Sequence, residues 1–193
     1  MRSGRNVRAA RRRRRGFSLL ELLAVLAMAV IVFAVGAPSL AALVRAQQIR
    51  LAAGELFDAI GMTRAQAMAR NERVEMLANG LPGNDWSLGW TVFVDRDGDH
   101  VPGAGDEILA VHGPLPRPIA TAFSFTAAAP PYYIAYNGAG RSCSDTNSAA
   151  ARMGTVSLFD GPLVRRIKIN MLGRVRLCDP SRDSDCDGPD VPP

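Results

Sequence analysis

The chain has two histidines, His100 and His112, and three cysteines, and no nucleophile elbow or zinc-ligand spacing accompanies them. Both histidines stand near an aspartate-rich hairpin rather than beside an evident nucleophile. They read as exposed loop residues, so an enzyme is not expected, nor a cofactor. No internal repeat is visible, which excludes solenoids and other repeat arrays. Charge is missing altogether from Leu22 to Ala37, and widening the window to Phe17–Val44 adds only Glu21. With 193 residues and 48% apolar content, the chain supports one membrane helix and one modest globular domain, but not two cores.

A formal charge of +5 suggests a basic protein. However, Arg2, Arg5, Arg8 and Arg11 to Arg15 all precede the apolar run. Beyond them, 15 cations face 18 acids, a balance of −3, so overall charge gives no support to nucleic-acid binding and only a local cluster could. The leader's arginines fit the positive-inside rule, which places the leader in the cytoplasm and everything after the helix outside. A twin-arginine signal is disfavoured because no spacer separates the arginines from Gly16-Phe17.

The apolar stretch from Phe17 to Val44 would span about 42 Å as a helix, more than the ~30 Å hydrocarbon core requires. A secretory signal peptide is the alternative, with Ala34-Val35-Gly36 as its small-residue site. Glu21 argues against it, because a carboxylate at bilayer centre costs about 2.5–3.5 kcal/mol and needs a partner. Cleavage between Gly16 and Phe17 would supply one, in the new α-amino group of Phe17 on a neighbouring copy. These residues, Gly16-Phe17-Ser18-Leu19-Leu20-Glu21-Leu22, resemble the type IV prepilin and pseudopilin processing motif. The resemblance implies a prepilin peptidase cutting after Gly16, N-methylation of Phe17, and Glu21 guiding assembly among other pilins.

Beyond Pro38, where a kink or local opening is expected, the sequence returns to helical spacing. Leu40, Leu43, Val44, Leu51, Phe57, Ile60 and Met68 form the apolar side, and Arg45, Arg50, Glu55, Asp58 and Arg64 the wetted side. After Asn71 come short β-type runs: 73–78, 87–94, 107–112, 119–126, 132–136, 154–159, 163–170 and 174–178. The expected class is α+β, a long N-terminal helix packed on an antiparallel β-sheet domain. Its divisions are a leader at 1–16, a helix at 17–71 with 17–37 crossing the membrane, a β-rich domain at 72–178, and a flexible acidic tail at 179–193. The run from Trp86 to Asp95, with Gly173-Arg174-Val175-Arg176, is similar to the GspH/FimT group of minor pilins and pseudopilins, which implies a pilin-like fold. The implied setting is a single-pass inner-membrane protein with a periplasmic domain, serving in a type IV pilus or a type II secretion pseudopilus.

Two local clusters invite chemistry. Asp95, Asp97, Asp99 and Asp106 suggest a calcium loop, but His100 stands where an EF-hand has glycine and no glutamate closes the loop, which favours an Asp97-Gly98 turn. In the last hairpin, alternation turns Ile167, Ile169, Val175 and Leu177 inward and puts Arg166, Lys168, Arg174 and Arg176 on one exposed face. That face is either a phosphate-binding ribbon or a solvated strand face with local carboxylates. In the FimT branch the matching Gly-Arg-x-Arg is associated with binding double-stranded DNA during natural transformation. Three cysteines permit three single bridges, among which Cys178–Cys186 closes a short loop and is preferred.

Overall fold

The computed structural model describes residues 18–80, 85–126, 131–144, 147 and 149–191, apart from the side chains of residues 35 and 36. The chain divides into two units, Met1–Ala42 and Leu43–Pro193. Helix α1, Leu19–Arg70, continues past Pro38 and ends where Asn71 turns left-handed at φ 53°. There the Glu72 N–H reaches the Ala67 carbonyl and the Asn71 N–H that of Met68, which closes the helix with a Schellman pattern.

In the first unit, every large apolar side chain from Leu19 to Phe33 is more than half exposed. In the second, the buried face of α1 is Ile49, Ala52, Ala53, Leu56, Ile60 and Ala67. This differs from the expected apolar side: Leu43, Val44, Leu51 and Met68 are exposed. Small alanines allow close approach to the core, so the alanine-rich stripe is buried and several larger side chains lie outside it.

Among the described residues eight strands follow: β1 Val74–Ala78, β2 Trp90–Val94, β3 Glu107–His112, β4 Ala120–Phe125, β5 Tyr133–Tyr136, β6 Gly154–Asp160, β7 Leu163–Ile169 and β8 Val175–Cys178. They make two four-stranded sheets, ordered β3-β2-β1-β5 and β4-β6-β7-β8, in which every pairing is antiparallel. The division into two sheets is not visible in the strand list, because it depends on long-range pairing. One core joins Ile49, Leu56 and Ile60 of α1 to Met76, Val92 and Ile134 of the first sheet and Val156, Leu158 and Ile167 of the second. A smaller cluster, Leu77, Phe93, Tyr133, Ala135 and Cys143, lies on the opposite face of the first sheet.

The Trp86–Asp95 stretch is explained by packing. A 3₁₀ turn at Trp86–Leu88 buries Trp86, whose Nε1 donates to the Tyr132 carbonyl at 3.2 Å and whose ring stacks on Phe123. Gly89 has φ 90°, and a Cβ there would lie 2.2 Å from the His112 carbonyl, so no side chain fits.

Candidate functional sites

Gly16 and Phe17 lie outside the described residues. The described chain begins at Ser18, whose Oγ accepts from the Glu21 N–H at 3.2 Å, a helix cap in the first turn of α1. Glu21 is exposed, as are the leucines beside it. The Ser18-x-x-Glu21 spacing is the sequence signal for this cap, and it overlaps the processing motif.

The aspartate loop folds onto its own backbone. Asp95 Oδ1 accepts from the Gly98 N–H at 2.8 Å, Asp99 from Val101 at 2.7 Å, and Asp106 from Arg96 at 3.0 Å and Gly103 at 2.8 Å. Asp97 accepts from the Asp99 N–H at 3.3 Å. The four carboxylates come within 4.8 Å of one another, and each caps a turn.

Both histidines depart from the expectation of exposed loop residues. His112 sits on β3 with its ring stacked on Trp90 at 4.0 Å. His100, at φ 60°, places Nδ1 2.6 Å from Glu75 Oε1 and stacks on Tyr133. Glu75 is fully buried on β1, its second oxygen without a partner among the described residues, and Asp95 beside it is paired with Arg73 at 3.3 Å. Burial pushes the Glu75 carboxyl above its ordinary value, while the hydrogen bond and charge of His100 pull it back. Glu75, Asp95, His100 and Arg73 thus fasten the loop to the sheet. Glu75 was missed because a lone glutamate in a strand carries no sequence signal.

On β7 and β8 the register pairs Arg166 with Cys178, Ile167 with Leu177, Lys168 with Arg176 and Ile169 with Val175. The alternation puts Arg166, Lys168 and Arg176 on one face, but the exposure differs from expectation. Arg166 is only 4% exposed, and Leu177, expected inward, is 39% exposed. The reason is the tail, read from sequence as flexible. It folds back across this face, clasped by a disulfide between Cys178 and Cys186, while Cys143 is a buried thiol. Arg166 donates to the carbonyls of Cys186 and Pro189, to Ser157 Oγ and to Asp190. Lys168 pairs with Asp187 and Arg176 with Asp183. Asp179 pairs with Arg165 at 2.9 Å on the other side of β7. The hydrogen bond and charge of Lys168 hold Asp187 below the usual carboxylate range. Arg174, exposed, makes no ion pair among the described residues. It lines a cavity of about 670 Å³ together with Lys168, Arg176 and Asp185.

Gly173, which begins Gly-Arg-x-Arg, has a structural task. At φ 75° it turns the β7–β8 hairpin, and a Cβ would lie 2.5 Å from the Gly140 carbonyl.

The model of the family described as type II transport protein GspH matches residues 52–173, more than half of the chain. The chain belongs to the GspH family. Residues 11–37 of this GspH-family chain also match the prokaryotic N-terminal methylation motif. Among solved structures, the type IV minor pilin FimU of Pseudomonas aeruginosa matches in one crystal form with TM-score 0.54 at 18% identity, over 70% of this chain and 91% of FimU. A second crystal form gives 0.50 at 18% identity, over 68% and 94%. The minor pseudopilin EpsH of the type 2 secretion system of Vibrio cholerae gives 0.47 at 12% identity, over 68% and 96%. The FimU likeness shows a shared pilin-like fold, one long helix with a two-sheet antiparallel domain. No curated protein sequence matches the chain.

Proposed function

We propose that the chain is a minor pilin or pseudopilin, a structural subunit of a type IV pilus or a type II secretion pseudopilus. A prepilin peptidase cuts after Gly16, Phe17 is N-methylated, and residues 17–37 hold the protein in the inner membrane with its C-terminal domain in the periplasm. Assembly moves that segment from lipid into contact with other pilins. One observation carries this reading: an uncharged helix from Leu22 to Phe33 leaves its large apolar side chains exposed immediately after the single carboxylate Glu21. Such a surface needs lipid or neighbouring helices around it, and the match of residues 11–37 to the prokaryotic N-terminal methylation motif supports a pilin-type setting that offers both. The role is cohesive and asks for no catalysis.

Mass analysis of the protein purified from its own envelope tests the reading. A mature chain starting at a methylated Phe17, found in sheared filaments or crosslinked to other pilins, is expected. A chain that keeps its leader, or is cut after Gly36, overturns it.

A second reading, DNA binding during uptake, is favoured by one feature: Arg174, without an ion pair among the described residues, stands beside Lys168 and Arg176 in an open cavity. The ion pairs made by the tail weigh against it, since two of those three cations are already neutralised.

A further inference from the structure

Five aspartates, Asp179, Asp183, Asp185, Asp187 and Asp190, follow the last strand, and the structure seats four of them in ion pairs with Arg165, Arg176, Lys168 and Arg166. We propose that Asp179–Val191 is an intramolecular competitor, an acidic strap that keeps the ribbon of Lys168, Arg174 and Arg176 closed to polyanions. The proposal rests on the second reading, DNA binding at this ribbon, and is independent of the subunit reading.

The strap is built in rather than draped. The bond between Cys178 and Cys186, eight residues apart, ties it to the end of β8 and keeps its acids at high effective concentration over the cations. Gly188 lies so close to β6 and β7 that a Cβ would sit 2.7 Å from Thr155 Cγ2 and 3.1 Å from Arg166 Cδ. Ser157 donates to the Pro189 carbonyl at 3.2 Å, so the strap is also bound through its backbone.

Its grip is graded along the ribbon. The Arg166 side chain is 5% exposed and holds two strap carbonyls, which makes it the anchor. Lys168 is 30% exposed and held by the Asp187 carboxylate and the Asp185 carbonyl, Arg176 is 49% exposed and held by Asp183, and Arg174 makes no ion pair among the described residues. A polyanion therefore meets Arg174 first and must displace Asp183 and then Asp187. Exposed pairs of this kind are worth about 0–1 kcal/mol each, so a chain of phosphates can compete at the open end but not at Arg166.

The test uses the full-length protein in detergent and a fluorescent DNA duplex, read by anisotropy at two salt concentrations. Asp183→Asn with Asp187→Asn leaves the disulfide and the Arg166 anchor in place. This double variant is expected to bind about tenfold or more tightly than the parent, with the log-affinity against log-salt slope steeper by about 0.9 for each newly contacted phosphate. Adding Arg174→Gln and Arg176→Gln should return it to the parent's affinity. A charge-matched control, Asp58→Asn on the exposed side of α1 with Glu72→Gln just beyond its end, should leave binding unchanged. The proposal is overturned if parent and double variant bind alike at equal melting temperature, if the control gains as much, or if the gain survives loss of the two arginines. The single variants Asp183→Asn and Asp187→Asn carry the same expectation at one contact each, should the double variant fold poorly.

Discussion

Arg166 Nη2 lies 2.6 Å from Asp190 Oδ1, which joins a residue in the middle of β7 to one at the end of the tail. The carboxylate is 90% exposed, so water recovers it when the arginine is lost. The carbonyls of Cys186 and Pro189 and the Ser157 hydroxyl would not be recovered as easily. Arg166→Ala should therefore cost roughly 1.5–3 kcal/mol, the range for hydrogen bonds to a charged donor. Thermal melting of the full-length protein checks this, and a melting temperature equal to the parent's would show that the strap does not depend on Arg166.

Gly173 and Gly161 make a matched pair for separating strain from space. Both have positive φ, 75° and 57°, but a Cβ at Gly161 meets nothing within 4 Å, whereas one at Gly173 lies 2.5 Å from the Gly140 carbonyl and 2.8 Å from Tyr136 Cε1. Gly161→Ala should cost about 1–2 kcal/mol from the left-handed backbone alone. Gly173→Ala should cost clearly more, because backbone must move as well. Equal melting temperatures for the two variants would refute the close packing assigned to the hairpin.

The helix and strands were legible because their signals are local. Apolar residues at helical spacing, then short β-branched runs between glycine, proline and aspartate, mark α1 and all eight strands to within a few residues. Which side of α1 is buried was less legible. Large side chains such as Leu51 dominate a hydropathy reading, while packing selected Ala52 and Ala53. Alternation placed the ribbon cations on one face, but exposure of that face depended on a tail whose composition suggests solvation. Only tertiary placement shows that its acids are spent on β7 and β8. His100 was misread for a related reason: its partner Glu75 is 25 positions away on another element.

Stability should carry the mark of Glu75. Burial raises its folded-state pKa above the unfolded value of about 4.3, with His100 and Arg73 opposing and Asp95 assisting. The folded state then holds this proton more tightly than the unfolded chain, so the contribution of Glu75 to stability falls as pH rises from about 4.3 through the raised value. Glu75→Gln removes that proton from the balance. The stability of the parent relative to the variant should decline over this interval, as measured by denaturant unfolding at a series of pH values. A parent that gains on the variant with rising pH would show that pairing with His100 outweighs burial.

Changing Glu21 separates assembly from insertion. Its N–H is held by Ser18 Oγ, a contact that any non-proline residue at position 21 retains, so Glu21→Leu should leave the start of α1 capped. The substitution also removes the carboxylate, the only charge between Phe17 and Val44, and so insertion into the membrane should be intact or improved. On the assembly proposed above, what is lost is a counter-ion for the amine of Phe17 on a neighbouring copy. In a strain with no unmodified copy, the variant should accumulate in the membrane and be depleted from filaments by about tenfold or more, since unpaired buried charge costs several kcal/mol. Ser18→Ala supplies the contrast: it removes the cap, at about 1 kcal/mol, and keeps the carboxylate, so it should assemble far better than Glu21→Leu. Quantifying both variants in sheared filaments and in membranes decides the matter. If Ser18→Ala fails as badly as Glu21→Leu, the geometry of the helix start controls entry into the filament and the charge does not.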